Sequence, residues 1–119
     1  MKRILVVEDN ETNMYLITFI LKKNGYEVIE ARSGEEGIEL AVKEKPDLII
    51  MDIQLPKIDG LETTRRIRES EANGTIPIVA LTSYAMTGDR EKAMQAGCTG
   101  YIEKPIDTET FMGEVEKYF

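Results

Sequence analysis

Short runs of apolar residues recur along the chain, separated by stretches in which apolar side chains return every three or four positions. Three runs are continuous, Ile4–Val7, Leu48–Met51 and Ile78–Leu81, as expected of parallel strands that are covered on both faces. The run Tyr26–Glu30 contains polar residues and the run Tyr101–Ile102 is very short, which predicts an edge strand in each place. The pattern therefore predicts three central strands and two edge strands.

The first two intervening stretches have recognisable helix boundaries. Residues 11–24 form the first predicted helix, with one apolar face made of Met14, Ile17, Ile20 and Leu21. Residues Ser33 to Glu36 have the pattern of a capping box, which predicts the start of the second helix. Pro46 prevents that helix from continuing past Lys45.

Three further helices are predicted in the second half of the chain. The third follows Gly60 and ends in the loop 71–75, and the fourth spans Gly88–Ala96 before the helix stop at Gly97. Asp107 is the predicted N-cap of the fifth. Strand and helix therefore alternate five times, which predicts an α/β fold.

The expected architecture is a doubly wound, flavodoxin-like fold, in which a five-stranded parallel sheet of order 2-1-3-4-5 carries five helices on its two faces. Central strands are the continuous apolar ones, and edge strands are the short or polar ones. We expect residues 1–119 to form a single domain with no output domain attached.

Composition excludes several function classes. The chain has 119 residues and a net charge of −7, which disfavours direct binding to nucleic acid. It contains no histidine, so Ser-His-Asp hydrolases, His-ligated metal sites and phosphohistidine carriers are excluded. Its apolar stretches are too short for a membrane span or a signal peptide. The expected location is the cytoplasm, and Cys98, the one cysteine, is predicted to be a packing residue.

The residues that follow the predicted strands carry the candidate chemistry, because ligands of such sheets bind beyond the carboxyl ends of the strands. Glu8 and Asp9 follow the first strand, Asp52 the third, Thr82 the fourth and Lys104 the fifth. Two carboxylates about 4 Å apart repel each other by about 4 kcal/mol at an effective dielectric constant of 20. A divalent cation relieves that repulsion, and oxygen ligands alone favour Mg²⁺.

A metal ion beside a carboxylate, a hydroxyl and a lysine is suited to phosphoryl transfer onto the carboxylate. Asp52 is the best candidate nucleophile, because its strand is predicted to be central. We expect Mg²⁺, Lys104 and the Thr82 hydroxyl each to bind one oxygen of the phosphoryl group.

The chain resembles the receiver domains of two-component response regulators. The matching segments are Val6–Asn10, Met51–Pro56, Asp59–Gly60, Ala80–Ser83 and Tyr101–Pro105. Segments around Ser83–Asp89 and Ala96–Cys98 also resemble single-domain regulators of the DivK type and the receiver modules of hybrid kinases.

The resemblance implies a role for each matching position. Asp52 is similar to the phosphoacceptor, and the Mg²⁺ site would comprise Asp9, Asp52, the Gln54 carbonyl and, largely through water, Glu8. Thr82 and Tyr101 resemble the switch pair, Lys104 the lysine that pairs with the phosphoryl group, and Pro105 a proline that follows a cis peptide bond.

The implied function is a phosphorylation switch, rather than an enzyme acting on a separate substrate. The donor would be a partner histidine kinase or histidine phosphotransfer protein, and the domain would catalyse its own phosphorylation and slow dephosphorylation. Output is expected through protein contacts, on a face made by the fourth helix, fifth strand and fifth helix. Its candidate contact residues are Arg90, Lys92, Tyr101 and Glu109.

The sequence disfavours three alternatives to the phosphorylation switch. A flavodoxin-like FMN site needs Ser, Thr and Gly after the first strand, where this chain has Glu8, Asp9 and Asn10. A haloacid-dehalogenase phosphatase needs a second Asp two residues after the nucleophile, where this chain has Gln54. A degenerate receiver that signals only by docking is disfavoured, because all five functional positions are filled.

Overall fold

The computed structural model describes residues 2–70, 75–83 and 87–119, with the backbone alone at 87–89. Within these ranges five parallel strands form one sheet of order β2-β1-β3-β4-β5. The strands are β1 (Arg3–Val7), β2 (Glu27–Ala31), β3 (Leu48–Asp52), β4 (Ile78–Thr82) and β5 (Gly100–Glu103). The helices are α1 (Glu11–Lys23), α2 (Gly34–Glu44), α3 (Gly60–Ser70), α4 (Thr87–Ala96) and α5 (Phe111–Glu116). The predicted fold class and strand order are confirmed.

The continuous apolar runs fill two cores, one on each face of the sheet. In β1, Ile4 and Val6 belong to the core that includes residues of α1 and α5, whereas Leu5 and Val7 belong to the core that includes residues of α2, α3 and α4. Side chains alternate between the two faces of a strand, so a strand covered on both faces is apolar at successive positions.

Local side chains fix the starts of α1 and α2. The Asn10 side chain caps α1 by accepting a hydrogen bond from the Asn13 N–H at 2.9 Å, and the Ser33 hydroxyl accepts one from the Glu36 N–H at 3.1 Å. The Glu36 carboxylate accepts from the Arg32 N–H, one residue earlier than in a capping box. The α2 start was therefore predicted correctly, although its cap differs in detail.

The start of α5 differs from the sequence prediction. Asp107 caps a turn instead, because its carboxylate accepts from the Glu109 N–H at 2.9 Å, and the N-cap of α5 is Thr110. Buried Phe111 opens the regular helix, so packing rather than the local cap determines where it begins. The predicted end of α3 falls at residues 71–74, which lie outside the described residues.

Two other features bear on the sequence interpretation. Cys98 is buried, as predicted, and burial raises the pKa of its thiol. Within the described part of the chain, no helix has the length and apolar composition needed to cross a membrane.

Candidate functional site

The carboxyl ends of β1 and β3 bring three acidic side chains together. Glu8 and Asp9 directly follow β1, and Asp52 is the last residue of β3, which pairs with β1. One carboxylate oxygen from each lies within 4.8 Å of the others. Glu8 is 0% exposed and Asp52 2% exposed, whereas Asp9 is open to solvent. The cluster is therefore mostly withdrawn from water.

Lys104 reaches this cluster from the segment after β5. Its Nζ lies 3.1 Å from Asp52 Oδ1 and 3.4 Å from Glu8 Oε1. The peptide bond between Lys104 and Pro105 is cis. One ammonium group thus faces the two buried carboxylates.

The pKa of Glu8 is raised within this cluster. Burial first, and then its interactions with Asp52, raise the pKa of Glu8 to about 7, against the opposing effect of Lys104. Its Oε2 accepts from the Asn10 N–H at 3.2 Å. Its buried Oε1 has no hydrogen-bond donor among the described residues and lies 3.4 Å from the Lys104 ammonium. Among the described residues the cluster holds three carboxylates and one ammonium, which faces two of them, so it is short of positive charge.

Gln54 joins two loops above Asp52. Its N–H donates to Asp52 Oδ1 at 3.1 Å, and its side-chain oxygen accepts from the Ser83 hydroxyl at 3.1 Å. The sequence interpretation assigned Ser83 no role. Its place directly after Thr82 was the available signal, because a residue at that position also lies at the carboxyl edge of the sheet.

The two residues that resemble the switch pair lie on neighbouring strands, Thr82 on β4 and Tyr101 on β5. Thr82 is buried at the end of β4. Tyr101 lies on β5 in a groove between β5 and α5, and the Arg90 guanidinium carbon is 5.1 Å from the centre of its ring.

A cavity of about 280 Å³ opens over the acidic cluster. Its lining consists of Glu8, Asp9, Asn10, Asn13, Asp52, Gln54, Ser83 and Lys104. Hard cations such as Mg²⁺ prefer oxygen ligands, and the buried Oε1 of Glu8 lacks a hydrogen-bond donor from any described residue. The residues present therefore fit Mg²⁺.

Comparisons with known proteins agree with this geometry. The family described as response regulator receiver domain matches residues 4–116. The polar-differentiation response regulator DivK of Brucella ovis is 45% identical over 98% of this chain and 95% of its own length. The solved structure of the chemotaxis protein CheY4 of Vibrio cholerae is similar with a TM-score of 0.95 and 28% identity, covering 100% of this chain and 99% of that one.

A further similar structure contains a metal. It is the receiver domain of the sensor histidine kinase PA1611 of Pseudomonas aeruginosa, with a magnesium ion coordinated in its active site cleft. The TM-score is 0.90 and the identity 37%, covering 98% of this chain and 96% of that one. Similarity thus extends over nearly the whole chain, in sequence and in structure.

Proposed function

This chain belongs to the response regulator receiver family, and from that premise we propose that Asp52 accepts a phosphoryl group from a phosphohistidine. The donor is a partner histidine kinase or histidine phosphotransfer protein. The observation that carries the proposal is the Lys104 ammonium 3.1 Å from Asp52 Oδ1, within a cluster of three carboxylates. An aspartate carboxylate does not require a lysine and further metal-ligating carboxylates beside it, whereas an acyl phosphate requires cations to neutralise its charge.

The transfer itself is a displacement at phosphorus. A carboxylate oxygen of Asp52 forms the new P–O bond while the P–N bond to the donor imidazole breaks. The bonding pair stays on that nitrogen, so a donor ring that carries a proton on its other nitrogen leaves as neutral imidazole. Lys104 complements the negative charge of the phosphoryl oxygens, and the Thr82 hydroxyl donates to one of them. Positioning and charge neutralisation supply most of the catalysis in such a step.

The proposed Mg²⁺ ligands are the carboxylates of Asp9 and Asp52 and the carbonyl oxygen of Gln54. Glu8 takes part largely through water. The ion, when bound, neutralises charge on the phosphoryl group and on the surrounding carboxylates. A magnesium ion in the cleft of the PA1611 receiver domain supports this assignment.

Phosphorylation is proposed to alter binding of a downstream protein at the face formed by α4, β5 and α5. A phosphoryl group adds about −1.5 to −2 of charge at the carboxyl edge of the sheet. The Thr82 hydroxyl is drawn towards it, and Tyr101 then changes its packing against Arg90. Arg90, Lys92, Tyr101 and Glu109 are the proposed contact residues.

The test is intact-mass measurement after incubation with acetyl phosphate and Mg²⁺. Wild-type protein is expected to gain one phosphoryl group, and the gain is expected to disappear with EDTA because the incoming group then meets unneutralised carboxylates. Asp52→Asn is expected to gain nothing. Labelling of that variant equal to wild type would overturn the assignment.

A further inference from the structure

A second cavity, of about 570 Å³, lies between α1 and the edge strand β2. None of its lining residues also lines the cavity over Asp52. Its volume is in the range of small-molecule sites, about 300–1,000 Å³. We call this cavity the α1–β2 groove.

One residue that lines the groove, Thr18, has an unsatisfied hydroxyl group. Thr18 is 8% exposed and lies in the middle of α1, and its buried hydroxyl oxygen has no hydrogen-bond partner in the described part of the chain. A threonine inside a helix ordinarily satisfies its hydroxyl on the carbonyl four residues earlier, so an unpartnered one is uncommon. A bound molecule with a hydrogen-bonding group would supply the missing partner.

Two aromatic rings form the exposed side of the groove. Tyr15 is 72% exposed and Phe19 53% exposed, and their rings stack with centroids 6.3 Å apart. Buried Met14 lies beside them in the lining. Neighbouring exposed aromatic rings on a small acidic protein indicate a surface that binds the apolar part of another molecule.

The cations of the groove differ in how they are neutralised. Arg32 pairs with two carboxylates, its guanidinium lying 3.3 Å from Glu11 Oε2 and 3.1 Å from Glu30 Oε1. Lys22 and Lys23 form no ion pair with any carboxylate among the described residues, and the Lys23 ammonium lies 6.0 Å from the centre of the Phe19 ring. The groove thus has unneutralised positive charge at one end.

Helical periodicity arranges these groups in two parallel rows. Residues four apart lie above one another on a helix, so Met14, Thr18 and Lys22 make one row and Tyr15, Phe19 and Lys23 the other. Each row is apolar towards the start of α1 and cationic towards its end. Lys22 follows Thr18 by one turn, so one anionic group can accept from both side chains.

We propose that the α1–β2 groove binds a small amphipathic anion with a flat apolar or aromatic body. The body lies against Met14, Tyr15 and Phe19. The anionic group sits at Lys22 and Lys23 and accepts a hydrogen bond from the Thr18 hydroxyl. Binding here is independent of phosphorylation at Asp52, and the test below uses neither Mg²⁺ nor a phosphoryl donor.

The test is a titration of ¹⁵N-labelled protein with 2-naphthoate, followed by amide chemical shifts. We expect saturable binding with a Kd of about 1 mM or tighter, from the affinity per atom of ligands of this size. The shifts should concentrate in α1 and β2. The neutral 2-naphthamide has the same ring system and should bind several-fold more weakly. Equal affinity for the two compounds, or shifts spread evenly over the protein, would overturn the proposal.

Two substitutions test the hydroxyl and the charge separately. Thr18→Val preserves the shape of the side chain and should weaken naphthoate binding by about 2- to 10-fold, the range for one hydrogen bond. Lys22→Gln should weaken binding and reduce its dependence on salt. Lys43→Gln, on α2 and outside the groove, is the matched control and should bind as wild type. The amide spectra report whether each variant folds. Unchanged affinity in both groove variants contradicts the site.

Discussion

At the scale of single residues, the acidic cluster that the proposed function requires makes the folded protein less stable when its buried carboxylates are charged. Glu8 is fully buried near Asp52, and among the described residues Lys104 alone forms an ion pair with these two carboxylates. Burial raises the pKa of Glu8 to about 7 from an ordinary value of 4.5. The folded protein therefore binds the Glu8 proton more tightly than the unfolded chain does, which makes its free energy of unfolding depend on pH.

The sign of that dependence gives a prediction for Glu8→Gln in EDTA. As pH rises from about 4.5 to about 7, the unfolded chain releases the Glu8 proton before the folded protein does, so wild type loses stability relative to the variant. At pH 8 the variant should be more stable by on the order of 1–3 kcal/mol, and at pH 4 the difference should vanish. Urea unfolding at the two pH values measures it.

The control for this comparison is Glu39→Gln, a solvent-exposed position on α2. This change should alter the free energy of unfolding little at either pH. Mg²⁺ should narrow the gap between wild type and Glu8→Gln at pH 8, because the ion stabilises the charged cluster. A gap of the same size at pH 4 and pH 8 would show that burial of the Glu8 charge is not its cause.

At the scale of elements, the start of α3 packs directly against the strand end that holds the proposed phosphoacceptor. The Gly60 N–H donates to the Ile53 carbonyl at 2.9 Å. A Cβ added at Gly60 would lie 2.2 Å from the backbone oxygen of Asp52. Only glycine permits this approach, since backbone on both sides leaves no flexible group to move aside.

Gly60→Ala is therefore expected to destabilise the protein by about 1–3 kcal/mol, the usual cost of overpacking. It should also slow labelling by acetyl phosphate, because the strand end carrying Asp52 must shift. Gly113→Ala is the matched control: it lies inside α5 with open space around it. That change should stabilise by about 0.5–1 kcal/mol. Thermal unfolding and intact-mass time courses measure both effects, and equal behaviour of the two variants would refute the packing argument.

At the scale of the whole molecule, the parallel sheet connects the site to the proposed output face. The strands β3, β4 and β5 are neighbours in that order, so Asp52, Thr82 and the segment leading to Lys104 share one edge. On β5, Tyr101 faces Arg90 of α4. A change of charge at Asp52 can therefore act on the proposed output face through the ends of two further strands, β4 and β5.

Beryllofluoride, a phosphoryl mimic, should change amide chemical shifts at both ends of that route. With Mg²⁺ present, we expect shifts in the loops around Asp52 and also in α4 and β5, including Arg90 and Tyr101. Asp52→Asn with the same additions is the control and should show neither set. Changes confined to the Asp52 loops, with residues 84–112 unaffected, would exclude this face as the output surface.

The fold class, the strand order and the members of the acidic cluster follow from the amino-acid pattern alone. Continuous apolar runs such as Ile4–Val7 require burial on both faces, and a residue that follows such a run must lie at the carboxyl edge of a parallel sheet. That reasoning predicts that Asp52 and Lys104 lie near each other, as they do in the structure. These inferences depend on periodicity and chain order, which are local properties.

Contacts that join distant segments depend instead on how the folded chain packs. The Ser83 hydroxyl donates to Gln54 across two loops, and burial removes water from the carboxylate of Glu8. The Thr18 hydroxyl finds no hydrogen-bond partner among the residues that the structure describes. The start of α5 likewise follows the burial of Phe111 rather than the capping signal at Asp107. Each of these depends on which side chains pack around a group and exclude water from it, and burial of that kind is a property of the assembled molecule.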